Sequence, residues 1–439
     1  MNLNQGQEYI VRRAVDWFWN SNEQVFQYDG PPGSGKSTVL IEIIRRLGLN
    51  IFTEIAPMSF IGAASLVMRT KGLLTAKTAH SWVMQPYETL KRDDNGEIVY
   101  KDANKTDPIL VRRFAPKEKL SDTIRLIIVD EAYCMPRSMR PIIEKFGIKV
   151  LACGDTNQLP PVKEPPAYLI DGNVYHLTEI MRQGEHKEIP WIANKAMAGE
   201  PILSGRYNNS LVIDRDQLTD QMLLWADVII CGTNRTRDML NDYIRYLKGF
   251  SGILPNYGER VVCRNNNWDI FSYDIYGNEV NLVNGLIGTV TNMPSVDSFD
   301  NKDRTIALNF RSDLVNCDFE CKANYNYLIA DHKIRTAIKE SVYERGQMFE
   351  FAYCITCHIA QGGQFHKVIY IEEPMGPITP RLNLVGATRA DQSLIYVKNN
   401  YGQFNFNLPI EYESISKARQ KLIKEYDRKI NPIFYQNRR

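Results

Sequence analysis

The chain has 439 residues, 44% hydrophobic and 24% charged, with a formal net charge of +2. That length calls for about two to four domains with ample core, and the composition is that of an ordinary globular protein, which excludes a disordered or fibrous chain. No apolar run approaches the roughly 18 residues of a membrane span, and the overall charge is too small to argue by itself for a nucleic-acid partner.

In chain order, residues 4–19 read as a helix with Ile10, Val11, Ala14, Trp17 and Phe18 on one face. Gln7, three residues after Asn4, fits a capping box. Val25-Phe26-Gln27-Tyr28 is a short strand, followed by Gly30-Pro31-Pro32-Gly33-Ser34-Gly35-Lys36-Ser37-Thr38. These residues match G-x-x-x-x-G-K-[ST], the loop whose glycines let backbone N–H groups wrap a phosphate at a helix N-terminus. Val39, Leu40, Ile43, Ile44 and Leu47 continue as a helix closed by Gly48. Lys36 is expected to reach the β- and γ-phosphates and Ser37 to hold Mg²⁺, so the cofactors are ATP and Mg²⁺.

A strand over 51–56 leads to Ala56-Pro57 and a helix through Ala63, Leu66 and Met68. Residues 87–107 are polar around Asp94-Asn95-Gly96-Glu97, and the Asn-Gly pair predicts a hairpin joining Thr89-Leu90 to Ile98-Val99-Tyr100. Residues 123–129 form a near-continuous apolar run, as a buried parallel strand does, and end in Asp130-Glu131. After a phosphate loop, such a pair suits Mg²⁺ binding by Asp130 and water activation by Glu131. The eight cysteines are dispersed as reduced thiols would be. Cys354-x-x-Cys357-His358 spells a haem attachment signature, but no export signal accompanies it, and pairing with Cys317 and Cys321 as a zinc site fails on spacing.

A strand over 149–153 runs into Gly154-Asp155-Thr156-Asn157-Gln158-Leu159-Pro160-Pro161, and Leu177-Thr178-Glu179-Ile180-Met181-Arg182-Gln183 follows. Later stretches are Cys231-Gly232-Thr233-Asn234-Arg235, Thr356-Cys357-His358-Ile359-Ala360-Gln361-Gly362 and Val385-Gly386-Ala387-Thr388-Arg389-Ala390. Phosphate loop, Asp-Glu, Gly-Asp-x-x-Gln-Leu-Pro-Pro and the late arginine motif, in this order, resemble superfamily 1 helicases. The compact length, the hairpin and the Thr-x-His-x-x-x-Gln-Gly form are most similar to the RecD/Dda-like branch (superfamily 1B), with a phage or bacterial source.

The resemblance implies an α/β protein of two RecA-like parallel-sheet domains with ATP between them. The first would span 1–185, with a pin hairpin inserted at 86–116. The second would span 186–258 and 332–400, interrupted by a small Src-homology-3-like β-barrel at 259–331. The 401–439 tail would be a basic helix, since 411–439 carries eight Lys/Arg against four Asp/Glu. By resemblance, Gln7 reads the adenine edge, Gln158 senses the γ-phosphate, Arg182 and Arg389 are arginine fingers, and Gln364 touches the sugar. DNA contacts fall to Pro57, Ser59, His80, Thr233, Asn234, Thr356 and His358, with Phe60 and Trp82 as candidates for stacking on bases. Met58 and Ile359 depart from the family pattern, where threonine and a basic residue are common. The implied activity is ATP-dependent 5′-to-3′ unwinding of DNA, in replication, repair or recombination. An RNA helicase or a protein-displacing translocase is the alternative. The expected partners are single-stranded and tailed duplex DNA and a single-strand-binding or replication protein, around a cytoplasmic monomer.

Overall fold

The structure is a computed structural model that describes residues 3–93, 95–100, 102, 104–179, 187–250, 252–294, 305–330, 335, 346–399, 404 and 406. The first lobe opens with the helix Gln5–Asn20. Asn4 accepts from the Gln7 backbone and Gln7 returns the bond to Asn4, which completes the capping box. The apolar stripe of this helix closes over a six-stranded parallel sheet in the order Lys77–Thr78, Ile55–Ser59, Leu126–Asp130, Lys149–Gly154, Val25–Asp29, Val174–His176. The central strands are buried on both faces, which is why they read as continuous apolar runs. Their carboxyl ends bring the phosphate loop, Asp130 and Gly154 to one edge, where open α/β sheets bind ligands.

The second lobe repeats the plan. Its sheet runs Cys354–Thr356, Val228–Cys231, Phe365–Ile371, Ala390–Val397, Ser210–Ile213, with Gly205–Tyr207 as an antiparallel edge. Helices Glu188–Ala198 and Thr379–Ala387 pack on one face, and Asn234–Leu247 covers the other. Phe404 and Phe406 stack on each other and lie against Arg215 and Tyr243 of this lobe. The tail helix expected around Ile415–Ile430 lies outside the described residues.

Between the halves of the second lobe, five antiparallel strands run Asp318–Asn324, Thr305–Ser312, Ile287–Val290, Arg260–Cys263, Phe349–Phe351 around Phe310, Phe319 and Phe349. A bridge from Ala323 to Gln347 brings the two edges together. Phe349–Phe351 therefore belongs to the insertion, eighteen positions beyond the expected end at 331. Its sequence neighbours return to the lobe within three residues, so no composition shift marks it.

The hairpin occupies nearly the expected 86–116, but its first arm does not pair with 98–100. Met84–Leu90 pairs with Leu110–Pro116, and the Asn95-Gly96 turn closes only a small tip in which Arg92 bridges Ile98. Turn chemistry located the tip; the partner of 84–90 is set by pairing twenty residues away. Arg112 on this ribbon ion-pairs with Asp269 at 2.6 Å, and Phe114 sits edge-on to Trp268, with ring centroids 4.8 Å apart. Both partners lie on a second ribbon, Asn267–Tyr273 with Glu279–Leu282, so the hairpin is braced by the insertion.

Candidate nucleotide cleft and nucleic-acid channel

The phosphate loop places Gly30, Pro31, Pro32, Gly33, Ser34, Gly35, Lys36, Ser37 and Thr38 in one turn between strand and helix. Gly33 and Gly35 have φ of 84° and 83°, the left-handed region that glycine enters at little cost. Lys36 Nζ donates to Gly30 O at 2.6 Å and Pro31 O at 3.2 Å. Ser37 Oγ accepts from Lys71 Nζ at 2.8 Å. Gln7 is committed at both ends of its amide: Nε2 donates to Ser34 O at 3.0 Å, and Oε1 accepts from Asn4 N at 3.2 Å. The capping reading therefore holds in this state, and the same side chain clamps the loop.

Asp130 accepts from the Glu131 N–H at 2.9 Å. Glu131 turns off the strand at φ 50°, a costly conformation for a side-chain-bearing residue and one that clusters at functional sites. Burial, and then the neighbouring Asp130, hold the Glu131 carboxyl above the usual carboxylate range, with Lys36 and Arg389 pulling it back. Asp155 is likewise raised by burial and opposed first by Lys36. Arg389 is buried in the second lobe, its Nε on Val385 O at 3.0 Å and its Nη1 on Gly363 O at 3.2 Å. Burial lowers its proton affinity, and Glu131 and Asp155 across the cleft raise it. Lys36, Glu131, Asp155 and Arg389 thus share one electrostatic field spanning both lobes.

Three buried polar atoms around this field, Ser34 Oγ, Asp155 Oδ2 and Gln158 Oε1, have no hydrogen-bond partner among the described residues. Buried polar groups are normally satisfied, so orphans ringing a phosphate loop fit a polar ligand such as a triphosphate. Ser37 and Asp130 offer the few protein oxygens that Mg²⁺ takes alongside phosphate and water. Gln364 is exposed on the turn before Phe365–Ile371, and Arg182 lies outside the described residues.

Two second-lobe side chains cross to the first lobe. Gln361 Nε2 approaches Cys134 Sγ at 3.4 Å and donates to Leu159 O at 3.3 Å. Arg381 Nη1 donates to Thr156 O and Gln158 O, both at 2.7 Å. Gly362 packs on Ala64 so closely that a Cβ would lie 2.7 Å from the alanine Cβ, and its φ is 78°. Gly362→Ala adds backbone strain and a clash at the lobe junction, so DNA-stimulated ATP turnover falls by about tenfold or more while the fold persists. Steady-state turnover beside thermal melting checks this; unchanged turnover would mean that the lobes do not need this contact.

A cavity of about 490 Å³ opens where the two lobes and the insertion meet. Phe60 and His80 line it from the first lobe, His358 from the second, and Arg264 and Asn284 from the insertion. The Phe60 and His80 rings lie 5.5 Å apart. Burial lowers the proton affinity of His80 and His358, so both imidazoles are neutral at pH 7. This cavity has the mixture of rings, small polar groups and cations, Lys163 and Arg264, that suits a single strand.

The other expected DNA contacts are occupied within the protein to different degrees. Pro57 and Ser59 are buried inside the strand Ile55–Ser59, where Ser59 Oγ accepts from Ile61 N, so the exposed wall begins at Phe60. Trp82 donates its indole N–H to Pro57 O at 2.8 Å and packs on the core. Thr356 is buried at the end of Cys354–Thr356. Thr233 gives its backbone N–H and its hydroxyl to Glu373, at 2.7 and 3.0 Å, so a carboxylate sits where a phosphate was expected. Asn234 Oδ1 accepts from Arg237 at 2.8 Å. Sequence reasoning missed Arg264, Asn284, Gln361's bonds across the lobes and Arg381. No sequence signal marked Arg381, because its partners are backbone carbonyls.

Residues 2–210 match the protein family described as an AAA domain. No curated protein matches the chain. Among solved structures, a Bacteroides Pif1 bound to single-stranded DNA is 17% identical, with 97% of this chain and 98% of that one covered at a TM-score of 0.52. Bacteroides Pif1 in complex with ADP-AlF3 and single-stranded DNA is 16% identical, with 97% and 99% covered at 0.51. Pif1 helicase from Candida albicans is 17% identical, with 96% and 100% covered at 0.51. At this identity the likeness establishes the fold: the mixed α/β, two-domain architecture of the Pif1 helicases.

Proposed function

We propose that this chain, built on the fold of the superfamily 1B helicases and carrying an AAA domain, is an ATP-hydrolysing DNA helicase. The observation that supports it most is the set of unpartnered buried atoms at the phosphate loop and the Gln158 turn, a turn bonded across to the second lobe by Arg381, with Arg389 of that lobe near enough to Glu131 for each to shift the other's proton affinity. A pocket completed only from both lobes is what a nucleotide-driven motor needs.

On this reading Lys36 and the loop N–H groups grip the triphosphate, and Gln7 holds the loop in shape. Glu131 takes a proton from the attacking water, Gln158 senses the γ-phosphate and lies beside that water, and Arg389 balances charge on the transferring phosphoryl group. Ser37 and Asp130 would hold Mg²⁺, which would supply positive charge against the charge developing on the phosphates. Closure and opening of the lobes alternate the grip on a single strand in the cavity lined by Phe60, His80, Arg264 and His358. The pin, braced through Arg112 and Phe114, parts the duplex ahead of it.

The finer proposals are 5′-to-3′ polarity, the RecD/Dda-like placement, monomeric action and a single-strand-binding or replication partner in replication, repair or recombination. No helix among the described residues is long and apolar enough to cross a membrane, and a cytoplasmic location remains part of the proposal. Duplexes with a single 5′ or 3′ tail, in DNA and in RNA, test the reading. Unwinding of 5′-tailed DNA is expected to exceed that of 3′-tailed DNA by about tenfold or more, the scale of ordinary enzyme discrimination. Equal unwinding of both tails refutes the polarity, and preference for RNA substitutes the RNA-helicase alternative.

A further inference from the structure

Arg381 lies on the helix Thr379–Ala387 of the second lobe, eight positions before Arg389. Both hydrogens of its Nη1 point at the first lobe, one to Thr156 O and one to Gln158 O, each at 2.7 Å. Its guanidinium also lies over the ring of Tyr133, 5.3 Å from the centroid, three residues after Asp130. The turn it grips carries two of the cleft's orphan atoms, Asp155 Oδ2 and Gln158 Oε1. Thr156 Oγ1 in turn donates to Asp29 at 2.8 Å, and Asp29 precedes Gly30 of the phosphate loop. One cation from the far lobe is therefore fixed to the backbone of the Gln158 turn, to the segment after Glu131, and through Thr156 to the root of the phosphate loop.

We propose that Arg381 is a positioning residue: it holds the Gln158 turn so that its buried amide faces the hydrolytic water only when the second lobe is docked. This rests on the helicase reading above. Arg389 then supplies charge from the same lobe and Arg381 supplies geometry, so closure delivers both together. The bonds go to backbone carbonyls, so no side-chain change at 156 or 158 can replace them, whereas loss of the guanidinium releases the whole turn. Charge-assisted bonds of this kind are the strong ones, and a small misplacement near reacting groups costs rate steeply.

The test is a double-substitution cycle in the full chain, read by DNA-stimulated ATP turnover. Arg381→Ala is expected to lower kcat roughly 10- to 100-fold while KM for ATP moves less than about threefold, because the contact acts on the reacting geometry rather than on phosphate binding. Gln158→Ala alone is expected to fall by a similar factor. The pair together should lose no more than the worse single variant, since both changes remove one function. Arg381→Lys, which keeps a cation able to meet both carbonyls, should recover a measurable part of the loss. A mainly structural Arg381 would instead give losses that multiply, track a fall in melting temperature, or appear as a KM effect, and any of these overturns the inference. Absence of stimulated turnover in the parent protein would overturn the motor reading and this inference with it. Parental turnover with multiplying losses overturns this inference alone.

Discussion

Glu131→Gln is expected to lower DNA-stimulated kcat for ATP by roughly 10³-fold, with nucleotide and DNA binding retained, since a positioned general base contributes about 10²- to 10⁴-fold. The substitution keeps the shape of a side chain held at φ 50° and removes only the proton acceptor. In the folded chain this carboxyl is raised first by burial and then by Asp130, so it is a stronger base than an ordinary glutamate. It works when deprotonated. The rate should therefore rise with pH through its raised pKa, placing the acid limb of kcat/KM above the usual carboxylate range. Pre-steady-state phosphate release over pH 5–9, with fluorescence-detected binding of single-stranded DNA, reads both parts. A Glu131→Gln protein turning over within about threefold of the parent would remove this residue from the chemistry.

What could be read beforehand divides by the kind of physics involved. The phosphate loop and Asp130-Glu131 were legible because their chemistry is contiguous and the strand, turn and helix that frame it are local. The plan of two RecA-like sheets came from the resemblance carried by the spaced motifs, while apolar runs marked only single strands such as the one ending at Asp130. The channel was only partly legible. Pro57 and Ser59 fell on the wrong side of a strand end that runs to residue 59, and two positions decide between core and wall. Thr233 was expected to contact DNA from its place in a matched motif, yet Glu373, 140 positions on, fills its donors here. Nothing near Thr233 could have announced that. Phe349–Phe351 joined the insertion's sheet through pairing with Val261–Cys263, a contact no local pattern carries. Arg381 was hidden for a different reason: it binds carbonyl oxygens, which every residue has, so its partners carry no sequence signal.

The residues that were missed outright share a direction. They lie where separate bodies meet: the Gln361 and Arg381 bonds between lobes, Arg264 and Asn284 at the insertion, Arg112 and Phe114 at the hairpin. Motifs report what one segment does to a ligand; coupling between bodies is carried by packing such as Gly362 on Ala64, and a motor's output depends on that coupling.

The second large effect is expected at Arg389. Arg389→Ala should reduce kcat by about 10³-fold or more, the scale of an arginine finger, and Arg389→Lys should recover little, because a guanidinium fork and an ammonium are not interchangeable. The pH profile separates charge from geometry. Arg389 and Lys36 are the cations that pull the Glu131 carboxyl down against burial and Asp130. Removing the guanidinium leaves burial and Asp130 less opposed, so the Glu131 pKa rises further and the acid limb of the residual kcat/KM moves to higher pH in Arg389→Ala. In Arg389→Lys the positive charge stays in the cleft, so the limb should stay near that of the parent although the rate is poor. A loss of rate in Arg389→Ala with no movement of the limb would mean that the guanidinium and Glu131 do not face each other during turnover. The bonds Arg389 makes to Val385 O and Gly363 O would then be its whole role, holding the second lobe together rather than completing the cleft.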